Sequence, residues 1–177
     1  LTAIGELPVA GINGVEWDAV ELPSQFMENF CWEWARVQAM TAHVDTGEPL
    51  PRALFDKMLA AKNFQSGMFT VRQLEFALFD MAVHGDFDPA QDSVLALLER
   101  IRDEVAVNRP PAWHRFPHQF SHIFAGGYAA GYYSYKWAEV LAADAFSAVE
   151  ERGVFDTITA RRFLDSILAR GGSRDPL

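Results

Sequence analysis

Apolar residues recur at helical spacing along most of the chain, and no stretch shows a convincing alternation of apolar and polar residues. The stripe that starts at Leu22 and continues through Phe26 and Phe30 predicts a helix over about residues 23–43 that packs into a core. Further stripes predict a short helix from Pro51 and longer ones over about residues 69–84 (with Leu74, Leu78 and Met81 in line), 94–105, 128–149 and 157–169. The pattern therefore predicts an all-α chain that forms one helical domain over residues 1–177.

The composition predicts a folded chain and argues against some classes of binding partner. Hydrophobic residues make up 50% and aromatic residues 13% of the 177 residues, which is enough for a sizeable core. The formal net charge of −9 argues against nucleic acid or an anionic membrane surface as the main partner, because both would be repelled. No apolar run approaches the roughly 18 residues that a membrane span needs. We expect neither nucleic acid nor a membrane as a partner.

Cys31 is the only cysteine, so the chain cannot form an internal disulfide. Its position between Phe30 and Trp32 predicts a buried, inert thiol. Such a thiol fits a reducing compartment, and we expect a cytoplasmic protein.

The first predicted helix also carries a polar face. Glu21, Gln25 and Glu28 stand at i, i+4 and i+7, and Pro23 fits only the first helical turn, which places Glu21 at the helix start. By spacing alone, Glu21 is a carboxylate stabilised by the helix dipole, worth roughly 0.3–1 kcal/mol. Acids beside so much apolar surface indicate instead a need for a cation, a hydrogen-bond network or a metal.

Two stretches have the character of motifs. The segment from Asn13 to Gln25 reads N-G-V-E-W-D-A-V-E-L-P-S-Q, and the segment from Ser121 to Tyr135 reads S-H-I-F-A-G-G-Y-A-A-G-Y-Y-S-Y. Both resemble segments of the thimet oligopeptidase and oligopeptidase A family of zinc metallopeptidases, and the resemblance runs over nearly the whole chain. It implies a multi-helical, C-terminal portion of a zincin-type oligopeptidase, so the missing N-terminal part of the same enzyme is an expected partner.

The resemblance implies that Glu21 is the third ligand of a catalytic Zn²⁺ ion. In the family, an H-E-x-x-H helix supplies two histidine ligands and the general base, and that motif does not occur in these 177 residues. We expect this chain to be part of the peptidase catalytic domain and to bind zinc weakly or not at all by itself. Asp18 and Glu28 are candidates to orient the zinc-bound histidines, with a solvated acid or a salt bridge as the alternative.

The second motif supplies the candidate substrate contacts. Tyr128, Tyr132 and Tyr135 stand at i, i+4 and i+7 and are predicted to share a helical face, either as a core stripe or as a functional surface. We predict that Tyr128 and Tyr135 are the catalytic donors to the oxyanion and that Tyr132 lines the cleft. The other predicted substrate-binding residues are His122, Gly126 and Gly127.

The implied activity is hydrolysis of short oligopeptides by a zinc-dependent endopeptidase, with peptides as the substrate partner. The rival interpretation is a non-catalytic helical binding module that keeps part of a peptidase fold. The missing H-E-x-x-H motif favours this rival, whereas an in-frame motif upstream would favour the enzyme.

Overall fold

The computed structural model of the chain describes residues 6–175. Within that range the regular elements are helices and no strand is present, which confirms the all-α prediction. The α-helices are α1 (Leu22–Glu28), α2 (Trp34–Met40), α3 (Arg52–Ala61), α4 (Ser66–His84), α5 (Val94–Val105), α6 (Ser121–Phe124), α7 (Ser134–Arg152) and α8 (Thr157–Phe163). Short 3-10 helices cover Leu7–Val9, Trp17–Ala19, Asn29–Trp32 and Phe116–Gln119, and a π-helix covers Leu164–Leu168. None of the helices in this range is long and apolar enough to cross a membrane.

The chain divides into two compact units. The terminal unit joins the chain up to Phe64 with the chain from Trp137 onward, and the central unit is Gln65–Lys136. The single domain expected over residues 1–177 stays a prediction.

The terminal unit is built around stacked aromatic rings. Phe26 of α1 stacks on Phe163 of α8 with ring centroids 3.8 Å apart, and the edge of Phe146 from α7 meets Phe26 at 5.7 Å. Leu22 and Val149 are also buried in this cluster. An edge-to-face pair such as Phe26 and Phe146 adds to the free energy that the buried area already contributes.

The helix predicted over residues 23–43 is wrong as a continuous element. It is α1, a 3-10 turn and α2, because Glu33 takes an extended conformation with φ −96° and ψ 115°. In an unbroken helix Phe30 and Trp34 would share one face. The break lets Phe30 pack on Phe146 at 5.6 Å while Trp34 packs on Phe55 of α3 at 5.2 Å.

Cys31 lies in that 3-10 turn and is exposed, so the prediction of a buried thiol is wrong. The tight turn directs its neighbour Phe30 to the core and leaves the cysteine outside. A buried thiol therefore no longer supports the expected cytoplasmic location, which stays a prediction.

The central unit pairs α4 with α5. The predicted α5 is confirmed over Val94–Val105, where Leu98 and Ile101 are buried and the Ser93 hydroxyl caps the first turn. On α4 the expected apolar line is not buried, since Leu74, Leu78 and Met81 are 42–49% exposed. The buried residues of α4 are Glu75, Phe79 and Asp80, because two of them have polar partners inside the unit.

Candidate active site

The glycine-rich stretch folds back on the short helix α6. A Cβ at Gly126 would lie 2.9 Å from the carbonyl oxygen of His122, so a side chain would displace the backbone there. Gly127 has φ 86°, which residues with a Cβ disfavour. These two conditions let the amide of Tyr128 donate to the His122 carbonyl at 3.0 Å. Both glycines therefore have a structural role in the turn, and their contact with substrate stays a prediction.

The tyrosines do not share a helical face, because residues 128–133 form turns and α7 begins only at Ser134. Their rings nevertheless meet. Tyr128 stacks on Tyr135 with centroids 4.9 Å apart and planes at 19°, and Tyr132 meets Tyr135 edge-on at 5.2 Å. The predicted neighbourhood of the three rings is thus present, although the helical reason for it is wrong.

His122 stands beside these rings. The centroid of its imidazole lies 6.0 Å from those of Tyr128 and Tyr132 and 6.4 Å from that of Tyr135. His122 is exposed, whereas the three tyrosines are half-buried. We call His122, Tyr128, Tyr132 and Tyr135 the tyrosine cluster. It presents an imidazole and phenols together at one surface of the central unit.

Helix α4 binds Tyr132 through both its side-chain hydroxyl and its backbone amide. The Tyr132 hydroxyl donates to Oε1 of Gln73 at 2.9 Å, and its backbone amide donates to Oδ2 of Asp80 at 2.8 Å. Burial raises the pKa of Tyr132, Tyr135 adds to the increase, and Arg72 opposes it. The phenol of Tyr132 is therefore protonated at neutral pH and acts as a donor.

The residues of α4 that support the cluster were not predicted from the sequence. Gln73 and Asp80 stand seven residues apart, which places them on one face of the helix. Two polar residues at this spacing, on the face that also carries apolar residues such as Phe76, are the signal that could have identified them.

A buried ion pair supports the same unit. Nε of Arg102 on α5 donates to Oε1 of Glu75 on α4 at 2.9 Å, and both side chains are at most 2% exposed. Arg72 donates to the other oxygen of Glu75 at 2.6 Å. The contact between Arg102 and Glu75 links α4 to α5, and it was not predicted because the two partners lie on different helices.

Glu21 lies in the terminal unit, directly before α1 and half-buried. The hydroxyl of Ser24 donates to its Oε2 at 2.7 Å, and Pro23 stands in the first turn as predicted. Asp18 is half-buried in the 3-10 turn Trp17–Ala19, and Glu28 is exposed at the end of α1.

The segment that precedes Glu21 makes close backbone contacts with Gly172. The amide of Gly172 donates to the carbonyl of Val9 at 2.9 Å. A Cβ at Gly172 would collide with the carbonyl oxygen of Asn13 and the backbone of Gly14. Only glycine permits this close crossing.

The donor set of this chain does not by itself complete a zinc site. A catalytic zinc site uses three protein ligands and keeps one position open. Within residues 6–175, no group of three or more His, Cys, Asp or Glu side chains is arranged to hold a metal ion. His114 and His118, four residues apart in the sequence before His122, are therefore not part of such a group. Glu21 has the right chemistry for one ligand and no more.

Comparison with known proteins agrees with the fold and the motifs. The family model described as Peptidase family M3 matches residues 2–177, so the chain belongs to this family. It is 60% identical to Oligopeptidase A of Salmonella typhimurium over 178 residues, covering 100% of this chain and 26% of that protein. It is 57% identical to Oligopeptidase A of Haemophilus influenzae, with the same coverage. It is 50% identical over 182 residues to an organellar oligopeptidase A of Arabidopsis thaliana, covering 100% of this chain and 23% of that protein. The chain thus spans about a quarter of the length of these relatives.

Proposed function

We propose that the chain supplies the C-terminal part of a zinc-dependent endopeptidase that hydrolyses short oligopeptides. The observation that carries the proposal is the tyrosine cluster, in which an exposed imidazole stands beside three phenol rings. The names of the relatives, which are oligopeptidases, support the same class of substrate.

In this proposal Tyr128 and Tyr135 donate hydrogen bonds to the oxyanion that forms when the scissile carbonyl is attacked. The hydroxyl of a phenol can donate a hydrogen bond to such an oxygen. His122, Gly126 and Gly127 contact the peptide. Tyr132 lines the same surface, with its own hydroxyl engaged by Gln73.

Glu21 supplies one zinc ligand in the full-length enzyme, and the histidine ligands and general base come from outside this chain. A bound Zn²⁺ would polarise the scissile carbonyl and lower the pKa of its bound water towards about 7. Asp18 and Glu28 are proposed to accept hydrogen bonds from the zinc-bound histidines and so orient them.

The test of the metal proposal is Glu21→Gln in the full-length enzyme. The amide removes a negative charge from a ligand of a dication, so zinc content and peptide cleavage should fall together. Glu16→Gln is the matched control, since Glu16 is an exposed acid in the same segment and should retain both. Parent levels of zinc and cleavage in Glu21→Gln would remove Glu21 from the metal site.

The remaining part of the enzyme has a proposed contact surface on α4. Leu74, Leu78 and Met81 stand at i, i+4 and i+7 and are 44%, 42% and 49% exposed. Contiguous exposed apolar surface usually marks an interface. We assign its occupant to another segment of the full-length enzyme, because this chain covers only 26% of its bacterial relatives.

Leu78→Lys in the full-length enzyme tests this surface. If another segment covers it, a buried lysine there should lower Tm by several degrees, since the charge loses its hydration. Val44→Lys is the control, because Val44 is 94% exposed and should tolerate the change. Equal, small shifts in both variants would show that the α4 surface is not covered within the enzyme.

A further inference from the structure

Asp80 is a fully buried carboxylate that two backbone N–H groups and a ring nitrogen of His84 surround. Its Oδ1 accepts from the amide of Ala130 at 2.9 Å and lies 2.9 Å from Nδ1 of His84, and its Oδ2 accepts from the amide of Tyr132 at 2.8 Å. The side chain is 0% exposed. A buried carboxylate is tolerated only with such hydrogen bonds, so its position in this core indicates a specific role.

One of the two amides that donate to Asp80 belongs to Ala130, whose backbone conformation is unfavourable. Ala130 has φ 53°, in the left-handed region that residues with a Cβ avoid. Such a conformation persists only where the surroundings impose it. One such contact comes from Oδ1 of Asp80, fifty residues earlier in the sequence, which accepts the Ala130 amide.

The second amide ties Asp80 to the tyrosine cluster. With its backbone held by Asp80 and its hydroxyl by Gln73, Tyr132 has a fixed place on α4. Tyr135 packs against the ring of Tyr132, and Tyr128 stacks on Tyr135. The turn between Tyr128 and Tyr135 is therefore anchored at its middle by one carboxylate.

We propose that Asp80 is a positioning residue, which acts through the backbone of Ala130 and Tyr132 to place the hydroxyls of Tyr128 and Tyr135 for the oxyanion. The inference rests on the proposed function of those tyrosines. Asp80 itself does not touch substrate. Misplacement of a catalytic group by about 1 Å lowers rates on the order of 100-fold, so loss of the anchor should affect kcat more than KM.

The experiment uses Asp80→Asn in the full-length enzyme. Asparagine keeps the shape but offers one acceptor and an NH₂ group that opposes the second amide. We expect faster hydrogen exchange in peptides covering residues 127–134 and a fall in kcat of about 10- to 100-fold with little change in KM. His84→Gln is the matched control, since it replaces the ring nitrogen beside Oδ1 and leaves both backbone contacts of Asp80 intact.

A rescue separates positioning from general damage. Glycine adopts the left-handed conformation without the penalty of a Cβ, so Ala130→Gly in the Asp80→Asn background should restore part of kcat. Unchanged exchange in Asp80→Asn, or faster exchange without loss of kcat while Tyr128→Phe alone lowers kcat, would overturn the role of Asp80 and leave the tyrosine proposal standing. No effect of Tyr128→Phe and Tyr135→Phe would instead refute the proposed function.

If Asp80→Asn does not fold, residue-resolved exchange on the unaltered enzyme decides the question. The amides of Ala130 and Tyr132 should exchange at least tenfold more slowly than those of Ala129 and Tyr133 in the same turn. Equal rates at the four positions would overturn the inference, because they would show that the carboxylate does not hold the turn.

Discussion

The two units differ in the types of residue that they bury. The buried core of the terminal unit is an apolar cluster around Phe26 and Phe163, with Thr159 as its buried polar residue in the described range. The central unit buries Glu75, Asp80 and Arg102 beside its apolar core. Apolar packing is tolerant of exchange, whereas a buried charge needs one particular partner. The difference indicates that the geometry of the central unit is specified by a few polar contacts.

The candidate site residues follow the same division. In the central unit, the tyrosine cluster is held by side chains of the same unit. In the terminal unit, Glu21 has a local partner in Ser24, and Glu28 is exposed. We infer that this chain determines the arrangement of the tyrosines, while the proposed metal-binding role of Glu21 would require ligands from elsewhere in the enzyme.

The largest effect should come from breaking the buried ion pair. Arg102→Met removes the buried cation beside Glu75 and leaves Arg72 as its partner. It should lower the free energy of unfolding by about 3 kcal/mol, the low end for breaking a buried ion pair, measured by denaturant titration. Arg109→Met is the control, because Arg109 pairs with Asp103 and Glu99 on the surface and should change stability little. Equal losses in both variants would contradict the importance of the buried charges in the central unit.

A smaller effect is expected at the glycine turn. Gly126→Ala forces a Cβ against the His122 carbonyl and should cost about 1–3 kcal/mol of stability. The matched change Gly67→Ala meets no atom within 4 Å in helix α4 and should stabilise by about 0.5–1 kcal/mol. Opposite signs in thermal unfolding support the close turn, and a neutral Gly126→Ala would refute it.

The smallest effect concerns a helix cap in the terminal unit. Asp156 accepts from the amide and hydroxyl of Thr159 at 2.8 and 2.7 Å, and these bonds lower the pKa of the carboxyl below its ordinary 3.8. A lowered folded-state pKa means that the stabilisation is present above pH 3.8 and is lost as the pH falls through the folded value. Tm should therefore fall slightly more at acid pH in the parent than in Asp156→Asn. Parallel Tm curves from pH 6 to pH 3 would contradict this.

Much of the fold was predictable, because helical periodicity reports local structure directly. The bounds of α5 follow from the sequence pattern. The three tyrosines do come together, but through turns and not along the predicted helical face. The break at Glu33 and the turn over residues 128–133 do not, since both depend on partners distant in the sequence. Leu74, Leu78 and Met81 suggested the buried face of α4, but the contacts of Glu75 and Asp80 decide that face instead.

The central claim, that the tyrosine cluster is catalytic, is tested most directly by the kinetics of single Tyr→Phe variants of the full-length enzyme. Tyr128→Phe and Tyr135→Phe should each lower kcat by roughly 10- to 1,000-fold and leave KM nearly unchanged, because the lost bond forms in the transition state. Tyr132→Phe, whose hydroxyl binds Gln73, should lose about 1 kcal/mol of stability and less activity. If Tyr128→Phe and Tyr135→Phe keep kcat within about twofold of the parent while thermal stability falls, the cluster is structural and the claim is wrong.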